Sequence, residues 1–470
     1  MNYIKLPAEI HSKEVASKGY SLSASQYKGV RILNKNHVAL RDLLDRPLKP
    51  ADKGAEVGSQ SYISQSPFQF VRTKGLQSDS FLPSFSPESV IPILPSSFKI
   101  YGLKKNDILI SKDSNVGEVV ILDRDYPHHM ISGGIYRLPL TRRKLYIFGL
   151  LKSNFFKDQL LCLVPRGTTI KHAKTLFLDC KLPFPNQENN DEVIEYIERL
   201  VETIIEQEKI VKEKSDAVNK LIEQELLQGE IKESQFEYPT IKTVEEKTRL
   251  DAKIYSKEFQ KIDSLIRSYR LGYFLIDSEN IKSGNTPEKR VTGEHSSLKY
   301  LWITPTNITD FGTLGNEERI TCETNNLNEN AMLLVNRTSR GGRGEYVGTA
   351  MFFDKAIYGQ AQHNQGIYRV SGYSDTDLLF MSCFMNSGHM RRYCAKLSIG
   401  SKMKEIKASQ ILEIPFPGFP DNLKEQVAKM YQEIILTHEK TKYIKHKLEI
   451  IVGSLVAGEK IDIDLTILKK

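Results

Sequence analysis

Hydrophobic residues recur with a seven-residue period in two separate segments of the chain. The first segment runs from Ile197 to Leu221 and the second from Val427 to Leu455. An apolar repeat of this period over several turns is typical of a helix that packs on another helix in a coiled coil. The predicted seam consists of Ile197, Leu200, Ile204, Val211, Val218, Leu221, Val427, Met430, Ile434, Ile444, Leu448, Ile451 and Leu455.

Polar residues interrupt both predicted seams. Gln207 and Lys214 stand in the first, and Thr437 and Thr441 stand in the second. Polar seam residues cost stability but discriminate between registers and partners. We expect the two helices to pair with each other in antiparallel orientation within one chain.

Each helix follows a segment in which short apolar runs predict β-strands. Residues 107–111 and 118–122 flank a polar loop, and residues 331–335 begin a similar arrangement in the second half. Helical patterns near residues 148–161 and 377–396 add helices to both segments. The predicted fold class is therefore α+β (mixed α/β), with two globular domains and a pair of long helices.

The two halves also repeat each other in sequence. Residues 134–138 (GIYRL) match residues 366–370 (GIYRV), an offset of 366 − 134 = 232. A repeat this long indicates two whole domains rather than a solenoid of small units, and it suggests a pseudo-two-fold axis. The predicted divisions are an N-terminal segment 1–19, a first domain 20–185, a central helix 186–232, a linker 233–248, a second domain 249–420, and a distal helix with tail 421–470.

Charge distinguishes the predicted parts of the chain. Residues 1–185 contain 27 Lys and Arg against 15 Asp and Glu, a net +12. Residues 186–232 contain 6 against 13, a net −7. A basic domain suits a polyanionic partner, whereas an acidic helix is unsuited to DNA. The acidic face is either a solvated coiled-coil surface or a docking surface for a partner subunit.

Composition and targeting signals favour a cytoplasmic protein. The 470 residues are 40% hydrophobic, and no apolar run reaches the length of a membrane span. The N-terminus lacks the apolar region of a secretory signal. The five cysteines are scattered and form no C-x-x-C pair, so neither a disulfide framework nor a metal site is expected.

Catalytic motifs are missing from the sequence. The chain contains neither a G-x-x-x-x-G-K-[ST] phosphate loop nor an Asn/Asp-Pro-Pro-Tyr/Phe segment, and no glycine-rich loop suits a methyl donor. We therefore expect no catalytic residue, no metal and no bound cofactor in this chain.

The order and duplication of several short motifs resemble a known family, the DNA specificity (S) subunits of type I restriction-modification enzymes. The resemblance covers the whole chain in architecture. It rests on residues 249–255 (RLDAKIY), 106–112 (NDILISK) and 364–369 (NQGIYR), and on two Pro-Phe-Pro exits into helices. The first domain departs from the pattern, because residues 22–25 (LSAS) replace the opening aspartate segment.

This resemblance implies a function in phage defence and DNA methylation. Two target recognition domains would each read one half of a split, asymmetric site on double-stranded DNA, with the helices as a spacer. Two methylation subunits carrying S-adenosylmethionine would dock on the helices, and restriction subunits can join them. The chain itself would be a non-catalytic specificity subunit.

Basic and amide side chains in loops are the candidate DNA contacts. Arginine can bond guanine with two hydrogen bonds, asparagine and glutamine can bond adenine, and lysine and arginine grip phosphates. For each candidate the alternative is an exposed surface residue, a structural residue, or a turn that bonds to itself. The candidates are Lys112, Arg142, Arg143, Lys144, Lys171, Arg337, Arg340, Arg343, Gln362, Asn364, Arg391, Arg392 and Lys404.

Two other functions compete with this interpretation. A self-contained restriction or methylation enzyme would need the motifs that the sequence lacks. A coiled-coil scaffold with two protein-binding domains would show little dependence of DNA affinity on salt, whereas phosphate contacts give a steep dependence.

Overall fold

A computed structural model describes residues 3–5, 7–17, 20, 27–85, 89–164, 173–228, 238–292, 299–323, 325–338, 347–400 and 403–468. The chain forms two compact units, one of Met1–Lys209 with Glu439–Lys470 and the other of Ile210–His438. Both units combine strands and helices, which confirms the α+β fold class. Among the described helices, none has the length and apolar character to cross a membrane.

In the described residues of the first unit, the strands form two three-stranded sheets and two strand pairs. Its strands are β1 (Ile4–Lys5), β2 (Gly29–Val30), β3 (His37–Ala39), β4 (Gln69–Val71), β5 (Val90–Pro92), β6 (Ile108–Ser111), β7 (Val119–Ile121), β8 (His129–Ile131), β9 (Ile135–Leu138) and β10 (Lys181–Pro183). Its own helices are α1 (Ser12–Ser17), α2 (Leu40–Leu43), α3 (Lys144–Lys152) and α4 (Asn154–Leu163).

Two long helices contribute to both units. They are α5 (Asn190–Leu227), of 38 residues, and α12 (Asp421–Ala457), of 37 residues. Each would measure about 55 Å at 1.5 Å per residue. Both predicted seven-residue repeats therefore lie on continuous helices.

The part of the second unit that the structure describes contains two four-stranded sheets and one strand pair. Its helices are α6 (Ile241–Lys247), α7 (Lys257–Arg267), α8 (Lys355–Tyr358), α9 (Asp375–Asn386), α10 (Gly388–Leu397) and α11 (Ala408–Ile411). Its strands are β11 (Tyr273–Phe274), β12 (Ile281–Ser283), β13 (Arg290–Thr292), β14 (Tyr300–Ile303), β15 (Glu318–Cys322), β16 (Ala331–Val335), β17 (Ala350–Phe353), β18 (Ala361–His363), β19 (Ile367–Val370) and β20 (Phe416–Pro417).

The two units repeat one sheet topology. In the first, β6 lies between β7 and β9 with antiparallel pairing, and β4 pairs in parallel with β8. In the second, β16 lies between β17 and β19, and β14 pairs in parallel with β18. The strands β12 and β13 each add one strand to a sheet of the second unit. The sequence repeat thus reflects a structural repeat.

A pair of short helices follows the sheets in each unit, and a serine begins the second helix of each pair. The Ser153 hydroxyl accepts a hydrogen bond from Phe156 N at the start of α4. The Ser387 hydroxyl accepts one from Met390 N at the start of α10. Serine is favoured at this position because its oxygen satisfies an otherwise unpaired helix N–H. The two serines are 387 − 153 = 234 residues apart, close to the repeat offset.

The core of the first unit joins its sheets and short helices to both long helices. Buried residues of α5 (Ile197, Leu200, Ile204) and of α12 (Leu448, Leu455) share one hydrophobic cluster. Side chains of α3, including Tyr146, Phe148 and Leu150, belong to the same cluster. The seam residue Ile451 packs at its edge, partly buried. The helices are therefore part of the core and are not separate from the globular domain.

Polar contacts set the direction of the two helices in this unit. The Thr441 hydroxyl donates to Gln207 Oε1 at 2.9 Å. The Tyr196 hydroxyl, near the start of α5, donates to the carbonyl of Asp464, which follows the end of α12. The two helices therefore run antiparallel within the first unit, with two of the predicted polar seam residues paired.

The second unit buries the other half of each helix. Val211, Val218, Val427 and Ile434 lie in one core with residues of α7, α9 and α10. Ile222 is fully buried, whereas its neighbour Leu221 is half-buried, as is Met430. The seam residue Lys214 forms an ion pair with Glu433 of α12.

A histidine lies deep in the second unit at the end of β18. His363 is 1% exposed, and its Nδ1 has no hydrogen-bond partner within the described part of the chain. Burial, followed by the nearby Arg369 guanidinium, lowers the pKa of His363 to about 4. In the first unit, burial likewise lowers the pKa of His129 to about 4. Both side chains are neutral at pH 7 in the folded protein.

Gly149 provides a test of the packing between α3 and the long helices. A β-carbon there would lie 2.7 Å from Val201 Cγ2 and 3.8 Å from both Ile197 and Leu448. Alanine normally stabilises a helix relative to glycine. We expect Gly149→Ala to lower the free energy of unfolding by about 1–3 kcal/mol instead, because overpacking outweighs that gain. Urea unfolding of this variant measures the effect.

The matched control is Gly29→Ala, where no atom lies within 4 Å of the added carbon. This control should change stability little. An unchanged or raised stability of Gly149→Ala would contradict the close packing of α3 on α5.

His363 should make the second unit sensitive to acid. Between pH 6.5 and 4 the unfolded chain binds a proton at this residue and the folded chain does not, so stability falls as the pH falls. The contribution reaches about 1.4 kcal/mol per pH unit. We expect His363→Gln to flatten this part of the pH dependence, measured by urea unfolding at several pH values.

His446→Gln, which alters an exposed side chain, is the control and should leave the wild-type pH dependence in place. An equally steep dependence in His363→Gln would show that the buried imidazole does not cause it.

Candidate DNA-binding interface

Four loops of the first unit meet at one end of its sheets, and we call them the first loop cluster (residues 54–56, 72–75, 112–117 and 132–134). Lys112 N donates to the carbonyl of Gly134 at 2.8 Å, and Gly133 N donates to that of Ala55 at 2.9 Å. The Asn115 amide reaches the carbonyl of Thr73 at 3.4 Å. Backbone contacts thus hold these loops together.

The candidate Lys112 lies inside this cluster with its charge already paired. Its ammonium group contacts the Asp113 carboxylate, and the two side chains are only 14% and 18% exposed. A DNA phosphate would have to compete with this internal partner.

The second unit has an equivalent second loop cluster (residues 284–286, 336–338, 364–366 and 404–406). Asn336 N donates to the carbonyl of Gly366 at 3.0 Å. Thr338 N donates to the carbonyl of Lys404 at 3.0 Å. The Thr286 hydroxyl donates to the Gln365 side chain at 2.5 Å. The same end of the sheets therefore carries a loop cluster in both units.

Matching hydrogen bonds align the two clusters residue by residue. Lys112 N bonds Gly134 as Asn336 N bonds Gly366. Lys112 O accepts from Ala173 N, and Asn336 O accepts from Ile406 N, both at 2.8 Å. Lys112 therefore corresponds to Asn336, and Asp113 corresponds to Arg337. The charge is therefore opposite at one of these two positions, and at the other a lysine corresponds to a neutral asparagine.

The second loop cluster contains the half-buried Arg337 and the exposed Lys404. The Arg337 guanidinium pairs with Glu405 at 2.8 Å but remains 42% exposed. The side chain of Lys404 is exposed, while its backbone N–H donates to the Thr338 hydroxyl at 3.1 Å. Both cations are placed where a polyanion could reach them.

The two amide candidates of this unit support the cluster from within. Gln362 is fully buried, and its Nε2 donates to the backbone and side-chain oxygens of Asn285 at 3.1 and 2.7 Å. The Asn364 side chain accepts a hydrogen bond from Gly366 N at 2.9 Å. In this conformation Gln362 is out of reach of a base edge, and it fixes Asn285 instead.

The basic residues at the start of α3 lie against the first long helix. Arg143, with φ of 47°, directs its guanidinium to Asp191 at 2.6 Å and to Glu198 at 3.7 Å. Lys144 donates to the carbonyl of Asn106 at 3.2 Å. Arg142 is exposed. Of these three candidates, Arg143 is the one with carboxylate partners on α5.

The paired arginines of α10 have separate surroundings. Arg391 donates to the carbonyl of Asn386 at 3.1 Å and also contacts the carbonyl of Asp310. Arg392, half-exposed, lies 3.6 Å from the Glu258 carboxylate of α7. These contacts tie α10 to neighbouring segments of its own unit.

Three candidates, Lys171, Arg340 and Arg343, lie outside the described residues. The remaining DNA-contact assignments stay predictions. Across the described ranges, no group of three histidine, cysteine or acidic side chains could hold a metal ion.

Two exposed cations of the first loop cluster were not among the candidates predicted from the sequence. Arg72 and Lys74 follow β4 in the turn that Asn115 contacts. The signal was available, since Arg72 comes directly after a strand-like segment that ends at Val71, and Lys74 follows two residues later. By contrast, nothing local in the sequence indicates that Asn285 and Asn326 bind the backbone and side chains around His363.

A family model matches part of the chain. Residues 63–214 match the type I restriction modification DNA specificity domain. This range contains most of the first unit's sheets, the first loop cluster except residues 54–56, and the first two thirds of α5. No curated protein shows significant similarity to the chain.

Several solved structures that match the chain come from restriction-modification systems. One is the S subunit of a type I system from M. genitalium, with 13% identity, a TM-score of 0.36, and coverage of 91% of this chain and 96% of that chain. Another, concerning complex assembly and conformational transition of the type I R-M system, has 13% identity, a TM-score of 0.29, and coverage of 90% and 98%. The HsdS subunit from Thermoanaerobacter tengcongensis has 13% identity, a TM-score of 0.26, and coverage of 88% and 99%.

The family match includes the candidate DNA contacts Lys112 and Arg143 and part of the predicted helix seam on α5. It confirms the resemblance identified in the sequence, because residues 63–214 match the type I restriction modification DNA specificity domain.

Proposed function

We propose that the two units carry two target recognition domains, each of which reads one half of a bipartite, asymmetric site on double-stranded DNA. The observation that carries this proposal is the repeat of the β7–β6–β9 topology as β17–β16–β19, together with the equivalent loop clusters. The family model ends at residue 214. The proposed role of the second domain therefore rests on its structural likeness to the first.

Charge differences between the loop clusters support readout of different sequences. Asp113 in the first cluster stands where Arg337 stands in the second. An arginine can bond guanine in the major groove, whereas a carboxylate can accept a hydrogen bond from cytosine. Equivalent loops with opposite charges suit two different half-sites, which makes the full site asymmetric.

The long helices are proposed to set the spacing between half-sites and to dock two methylation subunits. Two exposed apolar side chains of α12, Tyr443 and Ile450, are seven residues apart and therefore share one helix face. On α5, acidic side chains including Glu195 and Glu202 are exposed and could form ion pairs with a partner. A partner helix with apolar and basic positions would fit these faces.

Catalysis is proposed to reside entirely on the partners. The methylation subunits would bind S-adenosylmethionine and methylate adenine, and restriction subunits would join them for cleavage. This chain would bind no cofactor, in keeping with the absence of methyl-donor and phosphate-loop motifs from its sequence. Its five cysteines are free thiols, which suits the reducing cytoplasm that we propose as its location.

The proposal is tested by co-expressing the chain with its candidate methylation subunit and mapping methylated adenines across a genome. We expect the marks in a two-part asymmetric motif. Replacing residues 20–185 by the corresponding domain of another specificity subunit should change one part of the motif and leave the other, because each domain has its own loop cluster.

The reciprocal replacement of residues 249–420 is the matched control and should change only the other part. A change of both parts in either chimaera, or methylation without a two-part motif, would contradict independent reading by two domains.

A further inference from the structure

One loop of the first unit is bound directly by a carboxylate of the long helix α5. We call residues 77–82 the anchored loop. The Glu208 carboxylate accepts hydrogen bonds from the Ser80 hydroxyl at 2.9 Å, from Phe81 N at 2.8 Å and from Leu82 N at 3.0 Å. Hydrogen bonds to a charged acceptor are stronger than those between neutral groups. This carboxylate is 12% exposed, so water competes weakly for it.

Two lysines complete the attachment of the anchored loop. The Lys445 ammonium of α12 pairs with Glu208 at 2.6 Å and donates to the carbonyl of Asp79. Lys152 of α3 donates to the carbonyls of Gln77 and Ser80 at 2.9 and 2.7 Å. Burial lowers the pKa of Lys152 to about 7, but its nitrogen donates in either protonation state.

The Phe81 side chain seals this site. Both lysine ammonium groups lie 5.4 Å from its ring centre, and its edge packs against Phe148 at 5.3 Å. Cations within about 6 Å of an aromatic ring are attracted to its face. The loop is therefore held by polar, cation–π and apolar contacts from α3, α5 and α12 together.

The anchored loop also connects to the sheets and to the first loop cluster. Ile121 N of β7 donates to the carbonyl of Phe81 at 2.9 Å. On its other side the loop continues from the turn at residues 72–75, which belongs to the first loop cluster. Ser84 N returns to the carbonyl of Gly75 at 3.0 Å. Glu208 is thus linked to the candidate DNA-reading surface through one short segment.

The second unit has a corresponding attachment made by an imidazole ring and a phenol hydroxyl of α12. Residue 438 of α12 lies 438 − 208 = 230 residues after Glu208, which is the offset between the helix repeats. The His438 ring contacts the carbonyl of Leu314 at 3.1 Å, and the Tyr431 hydroxyl donates to the carbonyl of Gly312. Both units therefore attach a loop to a long helix at equivalent positions of the repeat.

We propose that Glu208 is a positioning residue that fixes the first recognition domain on the long helices and thereby restricts the number of base pairs allowed between the two half-sites. This inference rests on the proposed function. Glutamine in place of Glu208 would offer one acceptor oxygen instead of two and would lose the charge that holds Lys445. The loop would then adopt more than one position on the helix.

The test is adenine methylation mapping with Glu208→Gln in the complete methylation complex. We expect both half-site sequences to be retained and methylation at sites with a spacer longer or shorter by one base pair to rise at least tenfold. A merely structural role would lower methylation at all sites equally. The matched control is Glu206→Gln, an exposed residue on the same helix, which should keep the wild-type spacer.

Lys445→Met provides a second variant, because it removes the same ion pair while leaving Glu208 in place. It should relax the spacer in the same direction, and it carries the test if circular dichroism shows that Glu208→Gln is unfolded. An unchanged spacer in a folded variant would overturn the inference, as would loss of the first half-site sequence. Neither result would alter the wild-type two-part motif, whose absence would instead refute the proposed function.

Discussion

The structure depends on burial of the apolar faces of two long helices inside the cores of the globular units. An isolated helix of this kind is only marginally stable in water, because most helix stability in proteins comes from tertiary packing. In the first unit, Ile197, Leu200 and Leu448 lie in one cluster with the α3 side chains. Each fully buried side chain of this size contributes about 1.5–3 kcal/mol. The long helices and the short helix α3 therefore stabilise one another.

Polar contacts add direction and position to this packing. Hydrophobic burial is non-directional, so it alone does not choose one register over another. The Thr441–Gln207 hydrogen bond and the bonds from the anchored loop to Glu208 supply that choice in the first unit. In the second, His438 and Tyr431 hold the equivalent loop. The proposed base readout would need such rigidity, because it requires side chains placed within hydrogen-bond distance of base edges.

The sequence predicted the elements better than the site. Seven-residue spacing identified both long helices because that pattern is local to each helix. Gln362, by contrast, was a candidate adenine reader, yet parallel pairing of β14 with β18 buries it beside Asn285. That pairing joins segments about 60 residues apart, which no local pattern reveals. Lys112 looked like a free loop cation, but its neighbour Asp113 turns back to pair with it.

Native-state hydrogen exchange of the full chain tests the shared core of the first unit most directly. Residues 146–151 lie on α3, residues 197–204 on α5 and residues 444–455 on α12. If these three helices form one cooperative unit, their amides should open with the same free energy and respond equally to added denaturant. Protection of the two helix segments that outlasts that of residues 146–151 would contradict the account. It would mean that α5 and α12 pair with each other without α3, and that α3 contributes little to the stability of their packing.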